Sequence, residues 1–179
     1  MPKAWPSHKT VEGGLYFVTF SVVGWMDLFI RRAYQDFLVE NIRSCQENKG
    51  LDLFCYCIMP SHVHWIASRK QGRLSDLLRD FKSYAAKELL KMIWNNPVES
   101  RKEWLLSLFR NFADKSVQKQ KYQIWKHGNH PFWLESSWMI DQKINYIHHN
   151  PVETGFVNEP HEWRLSSANP GSPIEVLDM

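Results

Sequence analysis

Cysteine is scarce in this chain. Cys45, Cys55 and Cys57 are the only three among 179 residues. An odd, low count argues against a disulfide framework and fits a reducing compartment. Long apolar runs are missing as well, since none approaches the ~20 residues needed to span a bilayer. The start, Met1-Pro2-Lys3-Ala4-Trp5, leads into polar residues rather than the apolar core of a signal peptide. A cytoplasmic protein with no membrane partner is expected. Net charge is only +3, which permits nucleic-acid binding without demanding it. There is no Gly-rich phosphate loop, hence no expected nucleotide cofactor, and no internal repeat.

Apolar and aromatic residues are plentiful. At 44% hydrophobic and 14% aromatic, with nine Trp, the chain can build a sizeable core. Its length fits one domain over residues 1–179. Basic residues gather in two places. Arg69, Lys70, Arg73 and Arg79, with Lys82 and Lys87 beyond, form one cluster. Lys115, Lys119, Lys121 and Lys126 form the other. Each reads as a phosphate-binding patch or as an ordinary solvated face.

The most informative run is Cys57-Ile58-Met59-Pro60-Ser61-His62-Val63-His64-Trp65-Ile66. Phe54, Tyr56 and Ile58 precede the turn residues Pro60-Ser61, and Val63, Trp65 and Ile66 follow. These are strand formers around a turn, so the histidines open the second arm of a hairpin. Residues two apart on a strand share a face, which sets His62 and His64 side by side. Two neutral imidazoles so placed can hold one metal ion, or can be a surface pair. Cys55 and Cys57 are conceivable neighbours, although free Cys in an apolar strand is usually a small buried residue.

Hydrophobic periodicity organises the rest. Residues 1–14 read as an arm ending in Gly13-Gly14, and 15–23 as a first strand. Tyr34, Phe37, Leu38 and Ile42 mark a helix over 31–48, closed by Lys49-Gly50. Strands follow over 52–58 and 62–68. An apolar stripe from Leu74 to Leu90 predicts a helix over about 74–94 with Ser75 as N-cap. Residues 102–113 read as another helix, 114–121 as a loop or lid, and 122–135 as holding a short strand. Ile140, Ile144 and Ile147 predict a helix over 138–150, stopped by Pro151. A helical insert at about 95–125 and an irregular tail at about 158–179, with a short extended end, complete the chain. The order strand, helix, strand, strand, helix, insert, strand, helix is that of an α+β, ferredoxin-like split β-α-β sandwich, with helices on one face of an antiparallel sheet.

The last helix carries Tyr146, His149 and Asn150 on a common face by i, i+3 and i+4 spacing. Alone, Tyr146 reads more readily as a core tyrosine than as a functional one. The run His62-Val63-His64 followed by Tyr146-Ile147-His148-His149-Asn150-Pro151-Val152-Glu153-Thr154-Gly155 resembles the Y1 transposase family. Its REP-associated members and their IS200/IS605 relatives are the nearest likeness, and Glu162-Trp163-Arg164-Leu165-Ser166-Ser167-Ala168 matches that subgroup's tail.

The resemblance implies an enzyme that cleaves and rejoins single-stranded DNA, often beside a hairpin. It implies Tyr146 as nucleophile, His62 and His64 as ligands of a divalent cation, and a third ligand at Asn150, with His149 its local competitor. It also implies magnesium or manganese, whereas imidazoles alone favour softer ions. The DNA contacts are expected at Arg69, Lys70, Arg73, Lys82, Lys119 and Lys121. The family includes dimers and monomers, so either state is open. A non-catalytic DNA- or RNA-binding protein on the same fold is the alternative. A water-using metal hydrolase is a third reading, weakened by the lack of an acidic cluster near His62.

Overall fold

The structure is a computed structural model and describes residues 10–179. Most of the expected N-terminal arm, residues 1–9, lies outside the described residues. Four strands, β1 (Tyr16–Ser21), β2 (Leu51–Ile58), β3 (His62–Arg69) and β4 (Phe132–Trp133), form one antiparallel sheet in the order β2-β3-β1-β4. That order, with helices α1 (Arg32–Asn48) and α2 (Leu74–Asn95) as the two crossovers, is the ferredoxin-like arrangement expected from the sequence. Helix α3 (Lys102–Asp114) is the body of the insert, and α4 (Ser137–Glu153) follows β4.

Helices α1 to α3 cover one face of the sheet. Val18, Phe20, Tyr56, Ile58, Val63 and Trp65 point into it and meet Tyr34, Leu38 and Ile42 of α1 and Leu77, Leu78 and Phe81 of α2 in one buried cluster. Phe20 and Trp65 pack edge to face at 4.8 Å, and Trp65 and Phe81 at 5.0 Å. The expectation of helices on one face holds for these three. Helix α4 instead crosses the opposite face, where Ile147 packs with Cys55, Cys57 and Ile66. A bulge in β2 between Leu53 and Cys55 makes this pairing. It leaves Leu53 opposite Ala67 but sets Cys55 opposite Ile66, turning both cysteines toward α4.

Two local expectations differ. Ser75 does not cap α2: its N–H donates to the Thr10 hydroxyl at 2.9 Å, so the cap comes from the N-terminal segment. Pro151 does not stop α4, which runs to Glu153. Proline removes one donor but its φ suits a helix, and Thr154 closes the end by giving both its N–H and its hydroxyl to the Asn150 carbonyl. The tail has no helix or strand beyond one short turn, but its course is fixed. After a short 3-10 turn (Pro160–Glu162), it runs along the outer edge of β2. Ile58 N–H donates to Leu165 O, Ser167 N–H to Tyr56 O and Leu177 N–H to Leu53 O, at 2.8 to 3.0 Å. The glycine after α1 behaves as expected, with Gly50 at φ +68°.

Candidate metal and tyrosine site

His62 and His64 lie on the α4 face at the start of β3, their ring centroids 4.7 Å apart. His64 is 2% exposed. Thr19, its register partner on β1, meets its Nδ1 at 2.7 Å. Its Nε2 is buried without a partner. In the tautomer that donates from Nδ1 to the threonine oxygen, the Nε2 lone pair faces the site. Burial pushes the His64 imidazole down to about 3, with the charges of His62 and Lys143 adding to the effect. Burial also lowers His62, against an opposing contact from Asn150. Both rings are therefore neutral near pH 7, the protonation state a metal ligand needs.

Helix α4 supplies the other half. The Asn150 side-chain oxygen lies 3.2 Å from His62 Nε2, and Asn150 is buried. Tyr146, one turn earlier, is 42% exposed, with its ring 5.3 Å from that of His64 and 5.8 Å from that of Phe17. His149 turns away, its Nδ1 at 2.9 Å from the Asn145 carbonyl. The site thus gathers two imidazoles, one amide oxygen and a phenol from a single chain. Among the described residues no group of three or more His, Cys, Asp or Glu is placed to hold an ion. The donor set of His62, His64 and Asn150 nevertheless fits one: imidazole nitrogens and an amide oxygen are ligand atoms, and His64 Nε2 is buried without a partner.

The cysteines share this face but take other partners. Cys57 Sγ contacts Met59 Sδ at 3.6 Å, and Cys55 Sγ lies 3.3 Å from His148 Nε2. Burial pushes the Cys55 thiol up to about 11 and raises Cys57 as well. Both stay protonated and make poor ligands.

Several site residues escaped the sequence reading. Lys143, three positions before Tyr146, sets its ammonium 4.6 Å from the Phe17 ring centroid, 5.3 Å from that of Phe132 and 5.5 Å from that of Tyr146. Among the described residues no carboxylate forms an ion pair with it. The i, i+3 spacing was the available signal. Thr19 and Trp25 carried none: their place depends on register and on a turn.

The six basic residues expected at the DNA do not act alike. Arg69 ends β3, about 23 Å from His62 at a strand's rise per residue, and Lys70 follows it. Arg69 donates to the Lys49 and Arg73 carbonyls, and Lys70 pairs with Asp52 at 3.7 Å. Arg73 is exposed at the N-cap of α2. Lys82 is tied to the Lys126 carbonyl and the Asn129 side chain at 2.9 and 2.8 Å, and burial pushes its ammonium down to about 8. Lys119 and Lys121 are exposed on the segment after α3.

No family model matches the chain. A protein of Haemophilus influenzae, assigned by name to the REP-associated tyrosine transposases, is 19% identical over 171 residues, covering 92% of this chain and 85% of that one. A solved REP-associated tyrosine transposase, bound to a REP hairpin, aligns over 93% of this chain and 82% of its own, with a TM-score of 0.59 at 15% identity. A transposase-like protein of Deinococcus radiodurans aligns over 82% of this chain and 95% of its own, with a TM-score of 0.44 at 17% identity. The fold is that of the REP-associated enzymes. The chain is thus similar over most of its length to REP-associated tyrosine transposases, in fold and in sequence.

Proposed function

We propose that the protein is a metal-dependent single-stranded DNA endonuclease and strand transferase, with Tyr146 as nucleophile. The observation that supports this most is the meeting of Tyr146 with His62, His64 and Asn150 across one sheet–helix junction, with His64 Nε2 buried and unpartnered. A solved relative's REP hairpin makes hairpin-bearing single strands the first substrate to test.

A tyrosine hydroxyl is a weak nucleophile at neutral pH, so its surroundings must help. His62, His64 and Asn150 are the residues that would hold a divalent ion, magnesium or manganese. When bound, that ion supplies positive charge to the scissile phosphate. The set contains no carboxylate, so phosphate and water oxygens are left to complete the shell of a hard ion. Tyr146 Oη forms a bond to phosphorus as the bond from phosphorus to the 3′ oxygen breaks. Tyr146 gives up its proton, and the leaving oxygen gains one. The products are a 5′-phosphotyrosine and a free 3′-hydroxyl. Reversal by the same or another 3′-hydroxyl rejoins DNA, and the bond count closes without a nucleotide cofactor. Lys143 holds a positive charge beside the phenol and the incoming phosphate. Because one chain brings all four side chains together, a monomer can carry the complete site.

The test is a labelled hairpin with a single-stranded flank, incubated with protein and Mn²⁺ and run on a denaturing gel. Wild type should yield a covalent DNA–protein band that Tyr146→Phe lacks and chelator prevents. Equal adduct from Tyr146→Phe removes the nucleophile assignment. No adduct with any hairpin, together with tight binding, favours the non-catalytic alternative.

A further inference from the structure

Trp25 is 56% exposed, sits at φ +54° and holds its ring edge-on to His62, with centroids 5.5 Å apart. An exposed tryptophan in left-handed backbone is strained and needs support from its surroundings. The insert provides it. Gly24, at φ +64°, lies so close to α3 that a Cβ there would come within 3.1 Å of the Phe112 ring. From the other side, Val23 N–H donates to the Ile124 carbonyl, and Lys126 N–H to the Ser21 carbonyl, each at 2.8 Å. The segment that leaves α3 thus clamps the turn that presents Trp25.

The same segment walls a cleft of about 540 Å³ against α2. Lys126 lines it and links it to Trp25, with its ammonium 4.9 Å from the Trp25 ring centroid. Lys87 and Lys121 line it too, with Tyr122 and the tied Lys82, and no carboxylate does. Arg79 also lines it but is committed to Asp76 and Asp80. A ring next to the metal histidine, then a row of unpaired lysines, is the pattern of a single-strand track: bases stack on rings and phosphates follow cations.

We propose that Trp25 is a stacking platform for an unpaired base next to the scissile phosphate, and that the cleft takes the DNA backbone leading away from it. The insert exists to build both. This rests on the nuclease reading for where the phosphate lies, but the binding itself needs no cleavage.

The experiment uses the Tyr146→Phe protein and a set of stem-loop oligonucleotides, each with one 2-aminopurine at a successive position of a single-stranded flank. One or two adjacent positions should be quenched on binding. Trp25→Leu should abolish that quench and weaken binding about tenfold, the scale of one lost stacking contact. Trp25→Phe keeps a ring and should retain much of both, which separates stacking from a folding defect. Lys87→Gln with Lys121→Gln should lower the slope of log affinity against log salt by about 1.4, two single-strand phosphate contacts at about 0.7 each. The proposal is overturned if no quench depends on Trp25, if the lysine pair leaves the salt slope unchanged, or if blunt duplex competes as well as single strand. Failure of wild type to form an adduct would remove the nuclease reading and leave these binding results intact.

Discussion

On the face of the sheet covered by α1 and α2, Phe20, Trp65 and Phe81 pack ring against ring, and the strand positions from Val63 to Ala67 and from Val18 to Phe20 that face it are apolar. On the face under α4, the same β3 strand presents His62 and His64, and the cluster behind them is much smaller. Alternation along one strand assigns stability to Val63 and Trp65 and chemistry to their neighbours. Polar side chains are tolerated on the second face because each has a named partner: Thr19 for His64, Asn150 for His62, Ser167 for His148. The orphan is His64 Nε2, which is the atom the proposed chemistry needs.

That division is open to direct attack. Tyr146→Phe should drop adduct formation below detection, while its unfolding free energy stays within about 0.5 kcal/mol of wild type, since it removes one hydroxyl from a part-exposed ring. Trp65→Ala should do the reverse, costing about 3–5 kcal/mol in urea unfolding with no direct effect on the chemistry of whatever fraction remains folded. If Tyr146→Phe unfolds the protein, the two faces are not separable in this way.

Smaller effects sharpen the contrast. Lys143→Met should slow single-turnover adduct formation about 10- to 100-fold, with Lys143→Arg recovering part of the rate; an unchanged rate would make the lysine a mere packing group. Mn²⁺ should raise the thermal midpoint of wild type, as any ligand of the native state does, and should leave that of His64→Ala unmoved. The smallest effect is alkaline. Burial raises Cys55 from 9.0 to about 11 and Tyr56 from 10.0 to about 12. A native state that holds its protons more tightly than the unfolded chain is fully favoured below pH 9 and loses that advantage as pH rises from 9 toward 12. The three cysteines, all raised by burial, act first, from pH 9. Cys55→Ala should therefore lessen the decline between pH 9 and 11, measured by denaturant midpoint, and leave the parts due to the other two cysteines and to Tyr56.

Much of this arrangement was legible in the sequence. The helices and the first three strands declared themselves through periodicity, and Gly50 closed α1 as its type suggests. His62 and His64 were legible as a pair because spacing alone fixes a shared face. Asn150 and His149 were not separable, since both lie one turn from Tyr146 and only the docking of α4 turns one inward and the other out. Pro151 misled because a proline's effect depends on whether the helix still needs the missing donor. Charge misled more. Lys82 reads like any surface lysine, but its ammonium is spent on loop carbonyls. Lys143 sat unnoticed because a lone lysine has no pattern until rings from two strands close around it.

The strip of chain from Leu165 to Leu177 has a consequence beyond tidiness. By lying along β2 it occupies the donors and acceptors that an outermost strand would otherwise offer to strangers. A chain cut just before Leu165 would keep both histidines, the tyrosine and the whole of α4. It would also bare the eight-residue flank Leu51–Ile58. The first symptom of such a truncation should be clumping, with the chemistry of the surviving monomers a secondary casualty.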